Sequence, residues 1–112
     1  MTETEFNELV DRTFDAIDDA IATSVINADV ELTGGVMEIE FADQSKIILN
    51  RQAATQELWV AAKSGGYHYV WRDDAWRNTR DGAELFESLS GLISAQSGEI
   101  FAFPPGTATP ES

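Results

Sequence analysis

Apolar residues recur with two different periods along this chain, and the change of period marks out its elements. Between residues 2 and 22, Phe6, Leu9, Val10, Thr13, Ile17, Ala20 and Ile21 return to one side at the roughly 100° per residue of an amphipathic helix. Thr2 or Thr4 can cap its N-terminus, and Glu3 and Glu5 suit the positive end of its dipole. From Val25 the period falls to two. Val25–Thr33 alternates Ala28, Val30 and Leu32 against Asn27, Asp29, Glu31 and Thr33, and Val36–Phe41 sets Met37, Ile39 and Phe41 against Glu38 and Glu40. Lys46–Asn50, Leu58–Ala62 and Tyr67–Trp71 read as further strands. Turn formers at Gly34-Gly35, Ala42-Asp43-Gln44-Ser45 and Ser64-Gly65-Gly66 separate them. Arg72-Asp73-Asp74 turns into a short last strand through Trp76. Asp81-Gly82-Ala83-Glu84 then reads as a capping box that opens a helix to about Gln96, with Leu85, Phe86, Leu89, Leu92 and Ile93 on one face and Gly98 at its end.

Each helix has one apolar stripe and the sheet one apolar face. The expected fold is α+β: a two-layer α/β sandwich with the N- and C-terminal helices packed on one face of a five- to six-stranded antiparallel sheet. A chain of 112 residues supports one core. Residues 1–103 are expected as that domain, with Glu99–Phe103 packing back on it and 104–112 as a flexible C-terminal tail. The strand phase has a functional consequence. If Leu58, Val60 and Ala62 face the core, with Tyr67, Tyr69 and Trp71 beside them, then Trp59, His68 and Val70 face the uncovered side. An indole on a bare sheet face points to a contact.

Charge sharpens the picture. The formal net charge is −13, and residues 1–45 hold twelve acids against one base, Arg12, whereas the remainder holds eight acids and six bases. Such a field repels nucleic acid and anionic membrane and attracts cations and basic protein surfaces. Glu8, Asp11, Asp15, Asp18 and Asp19 share the polar side of the first helix, where only Glu8 and Arg12 offer an opposite-charge pair. Asp29 and Glu31 extend that surface if the first strand neighbours the helix.

Other chemistries lack their residues. With no cysteine there is no thiolate metal site, disulfide or cysteine nucleophile. His68, the one histidine, has no evident catalytic partner in sequence, and both Gly-Gly pairs sit between strands rather than before a helix. No apolar run reaches the roughly 18 residues of a membrane span, and no basic signal region opens the chain, so a cytoplasmic location is expected. Carboxylates remain, as hard oxygen ligands for Mg, Ca, Mn or iron. On an exposed helix face they would hold cations weakly and at several places.

The order of elements, the acidic first helix, Gly34-Gly35-Val36, SKIILNRQ at 45–52, LWVAAKSGGYHY at 58–69 and the Asp81-Gly82 start of the last helix together resemble the frataxin (CyaY) family. The resemblance runs from about Thr4 to Phe103. It implies a non-enzymatic, iron-binding regulator of iron–sulfur cluster assembly that docks on the cysteine desulfurase near the scaffold protein. Residue by residue, it implies an acidic ridge of Glu5, Asp11, Asp18, Asp19, Asp29 and Glu31, to which Glu8 and Asp15 add by position, and a partner surface of Asn50, Gln52, Trp59 and His68. Asn7 stands where the family often has a histidine, and Ala54 where it has a proline. A monomer is expected, with iron-dependent association as a variant. Two other readings stay open: an acidic interaction module with incidental weak cation binding, and an iron store.

Overall fold

The computed structural model describes residues 1–104 and Thr107, so most of the expected tail at 104–112 lies outside the described residues. Helix α1 spans Glu3–Ala22 and is capped by Thr2. The Glu5 amide donates to Thr2 Oγ1 at 3.1 Å, and the Thr2 amide donates to Glu5 Oε1 at 2.8 Å, closing a reciprocal capping box. The buried stripe contains the expected residues plus Phe14. Past Ala22 the helix stops at Thr23, whose amide and hydroxyl both donate to the Asp19 carbonyl.

Six strands follow: β1 Ala28–Thr33, β2 Val36–Phe41, β3 Lys46–Gln52, β4 Glu57–Ala62, β5 Gly65–Arg72 and β6 Ala75–Asn78, then helix α2 at Leu85–Ser97. They pair antiparallel in sequence order, each with its predecessor. Two turns differ from expectation. Gly65 and Gly66 pair with Ala62 and Ala61, so Lys63-Ser64 makes the β4–β5 turn. In the β5–β6 hairpin, Asp73 and Asp74 take φ of 55° and 59° between paired Arg72 and Ala75. Two positive φ values in a two-residue loop give the turn whose twist matches the strands.

The inner face of β2 to β5, with Met37, Ile39, Phe41, Ile47, Leu49, Leu58, Val60 and Tyr69, forms one apolar cluster with the buried stripes of both helices. Both helices therefore cover the same face of the sheet, as the patterning required. Three details depart from it. Leu32, expected inside, is 47% exposed, and Ala28 and Val30 are only half-buried. They occupy inward positions of an edge strand, where Ala28 and Val30 still pack against the core and Leu32 does not. Trp71, also expected inside, is half-buried, and the fully buried indole is Trp76, packed edge-to-face on Trp71 at 5.5 Å. The last helix starts at Leu85, because Asp81 folds back to accept the Ala83 amide and Gly82 takes φ 75°. Glu84 caps it, accepting from the amides of Phe86 and Glu87. Beyond Gly98, Phe101 returns to the core, and Phe103 meets Phe86 and Phe101 edge-to-face.

Candidate functional site

Glu8, Asp11, Asp15 and Asp19 are exposed on the outer side of α1, with Asp18 half-buried beside them. Asp11, Asp15 and Asp19 stand one helical turn apart, where like charges repel, and the last turn holds no base. The ridge is uneven. Glu5 spends one carboxylate oxygen on the capping box, and the Thr2 amide and hydroxyl bonds hold its pKa below the usual glutamate value. Asp11 accepts from Arg51 Nη2 at 2.6 Å, and Arg51 Nη1 donates to Asn7 Oδ1 at 3.1 Å. Local helical spacing offered Arg12 as the partner for this surface; the base that engages it comes instead from β3.

Asp29 and Glu31 fall elsewhere. Their partners across the β1–β2 ladder are Glu40 and Glu38, and the alternate pairs Val30–Ile39 and Leu32–Met37 point inward. The two acids therefore belong to the open face of the sheet rather than to the helical layer. There they build a second carboxylate patch with Glu38 and Glu40, which the sequence reading placed outward but did not assign to a site. Directly opposed like charges destabilise a ladder. Lys46 relieves them, with its Nζ 2.8 Å from Glu38 Oε1. The hydrogen bond to Glu38, then the charges of Glu38, Glu40 and Glu31, push its pKa up.

Asn50, Trp59 and His68 lie side by side on that same face, since Asn50 pairs with Trp59 and Trp59 with His68. Gln52 is one step along, opposite Glu57. The Trp59 indole and the His68 imidazole stack at 4.3 Å with planes 7° apart. Glu57, which sequence reasoning missed, organises the pair: Trp59 Nε1 donates to its Oε1 at 2.7 Å, and His68 Nδ1 stands 4.0 Å from the same oxygen. The i, i+2 spacing of Glu57 and Trp59 on one strand was the available signal, because it puts both side chains on one face. The structure thus brings all four expected contact residues together and separates the expected acids into two patches.

Carboxylate oxygens are suitable donors for hard cations, iron among them. Among the described residues, however, no three His, Asp or Glu side chains converge on a point where one ion could be held. The donor set fits weak attraction spread over a surface, not a closed coordination sphere. No helix of the described residues is long and apolar enough to cross a membrane.

Fold and surface together define a small α+β sandwich that carries an acidic helix layer on one side and an aromatic, partly acidic open sheet on the other. The chain belongs to the frataxin-like family, whose domain model matches residues 1–99. It is 51% identical over 100 residues to the iron–sulfur cluster assembly protein CyaY of Dechloromonas aromatica, covering 88% of this chain and 95% of that protein. Against the CyaY protein of Chromobacterium violaceum it is 50% identical over 103 residues, covering 92% and 98%. The solved structure of frataxin from Psychromonas ingrahamii superposes with a TM-score of 0.87 at 32% identity, over 93% of this chain and 99% of that one. Trimeric frataxin from the yeast Saccharomyces cerevisiae, in a ferrous complex, shares the fold with a TM-score of 0.69 at 22% identity over 88% of each chain.

Proposed function

We propose that this chain is an accessory protein of iron–sulfur cluster assembly. It works in the cytoplasm without catalysis of its own, draws iron weakly to the α1 acids as cargo or signal, and docks on the cysteine desulfurase and its scaffold. The observation that carries the reading is the family match over residues 1–99, which spans both the helix acids and the Trp59–His68 stack. Relatives at about half identity over nearly their whole length bear the cluster-assembly name. The geometry supports two contacts of different kind: charge on α1 and β1–β2 for attraction, and a pre-stacked aromatic pair for a short-range fit. The rate of cluster formation by purified desulfurase and scaffold, followed with and without this chain at graded iron concentrations, tests it. A change that depends on the chain and on iron is expected. An unchanged rate at every iron level, with the chain equimolar to the desulfurase, would remove the proposal.

A second reading keeps the docking and drops the iron: an acidic interaction module for which cation binding is incidental. The diffuse placement of the carboxylates favours it, as does the occupation of Asp11 by Arg51. It expects the same effect on cluster formation at every iron concentration.

A further inference from the structure

Arg51 points to the inner side of the sheet, opposite Leu58 in the β3–β4 register, and its stem crosses the β1–β2 turn. A Cβ built on Gly35 would lie 2.8 Å from Arg51 Cγ, so glycine is what lets the side chain pass. Beyond that point the guanidinium reaches α1, holding Asp11 and Asn7 and lying 5.5 Å from the centre of the Phe14 ring. Its side chain is 19% exposed and that of Asp11 65%, so a packed cation meets an accessible anion. Among the described residues this is the only ion pair that joins a helix to the sheet.

We propose that Arg51 is a tethered counter-cation that reserves Asp11 against free metal ions and basic side chains. Glu8, Asp15, Asp18 and Asp19 are then the acids of α1's outer side that an incoming cation meets first. The inference rests on the cation-binding reading above. Guanidinium is charged at every physiological pH and grips a carboxylate with directed N–H groups. A covalently held partner acts at an effective concentration on the order of millimolar or more, which a weakly bound divalent ion must exceed to win the same oxygen. Linkage makes the effect reciprocal: a cation that took Asp11 would loosen α1 from β3, the strand whose neighbouring residues Asn50 and Gln52 belong to the open face.

Free Mn2+ measured by electron paramagnetic resonance during titration of the protein tests this. In the parent, Asp11→Asn should leave Mn2+ affinity within about twofold, whereas Asp15→Asn should lower it about fivefold, the worth of one exposed charge contact. Gly35→Ala pushes Arg51 aside without changing any charge, and should raise affinity several-fold in a way that Asp11→Asn cancels. Arg51→Gln should do the same, and Lys63→Gln, which removes an equal charge elsewhere, should not. Equal losses from Asp11→Asn and Asp15→Asn in the parent would overturn the reservation, as would an Asp11→Asn effect that Gly35→Ala and Arg51→Gln leave unaltered. Urea denaturation without metal supplies a readout independent of cations: Arg51→Gln and Asp11→Ala should shift the midpoint less together than their separate shifts imply. Additive shifts would overturn the link itself. Non-additive shifts with no Mn2+ bound by any variant would instead overturn the cation reading, and the competition with it.

Discussion

Trp59 and Trp76 lie on opposite sides of one sheet, and their surroundings give them opposite work. Trp76 is fully buried, and its indole N–H donates to Thr13 Oγ1 at 3.0 Å; that hydroxyl donates on to the Leu9 carbonyl at 2.8 Å. A polar chain of this kind satisfies every buried donor on its path, so removing the ring loses both packing and a hydrogen bond between β6 and α1. Trp59 is half-buried; its N–H is met by Glu57 and one ring face by His68. A partner therefore meets a fixed aromatic surface and owes the indole no acceptor. Trp76→Ala is expected to cost about 3–5 kcal/mol, a large share of the roughly 5–15 kcal/mol of a small domain. Trp59→Ala removes a stack on an open face and should cost about 1 kcal/mol. Urea denaturation of the two variants compares them directly, and a Trp59→Ala loss as large as that of Trp76→Ala would place both rings in the core.

Within α1, the polar side works against the helix and the apolar side holds it. Asp15 and Asp19 repel each other one turn apart, and the final turn lacks a base to offset the dipole. Changing both to Asn should raise the midpoint of thermal unfolding at low salt by the equivalent of a few tenths of a kcal/mol per relieved pair, and the gain should shrink as salt is added. Asp11→Asn should bring no such gain, since Arg51 already neutralises that carboxylate. A stabilisation from Asp11→Asn equal to that from the other two would mean the guanidinium contributes nothing in solution. The same helix marks how far the sequence could be read. Its stripe and the faces of β2, β4 and β5 were legible because side-chain direction follows period, and period is local, whereas the cap was narrowed only to Thr2 or Thr4. The Arg51–Asp11 pair was not, because it closes across 40 residues and no spacing rule reaches that far. Nor was the exposure of Leu32: alternation gives the side of the sheet, while burial depends on whether a helix lies above that strand. Asp81 looked like a cap by composition, but its side chain closed an Asx turn first and left Glu84 to start α2. Trp59 and His68 were legible as one surface because phase alone places them outward, and Asn50 joined them only through the family resemblance, whereas Asp29 and Glu31 needed the actual ladder to separate them from the ridge.

On the scale of the whole molecule, the −13 charge is concentrated in two places: eleven of the twenty acids lie on α1 or on the outward positions of β1 and β2. The molecule measures 38 × 28 × 26 Å, so even its shortest axis is about three times the Debye length of about 8 Å at physiological ionic strength. Each patch therefore acts on what lies directly before it, and the two can engage different parts of one basic partner. Long-range attraction from such patches speeds encounter, whereas the Trp59–His68 stack acts only once surfaces touch. Complex formation with the desulfurase should weaken steeply as salt rises, mainly through slower association. Replacing Asp15, Asp18 and Asp19 by Asn should flatten that dependence, and so should replacing Glu38 and Glu40 by Gln if the sheet patch takes part. Trp59→Ala should instead speed dissociation and leave the salt slope unchanged, because it removes area and no charge. Surface plasmon resonance over a range of salt concentrations separates the two rates. Binding that stayed constant up to about half-molar salt would sink the electrostatic part of this account, since exposed charges are screened to a few ångströms there. The apolar and aromatic contacts of the open face would then carry the complex, and the acids of α1 would be left with cations as their remaining partners.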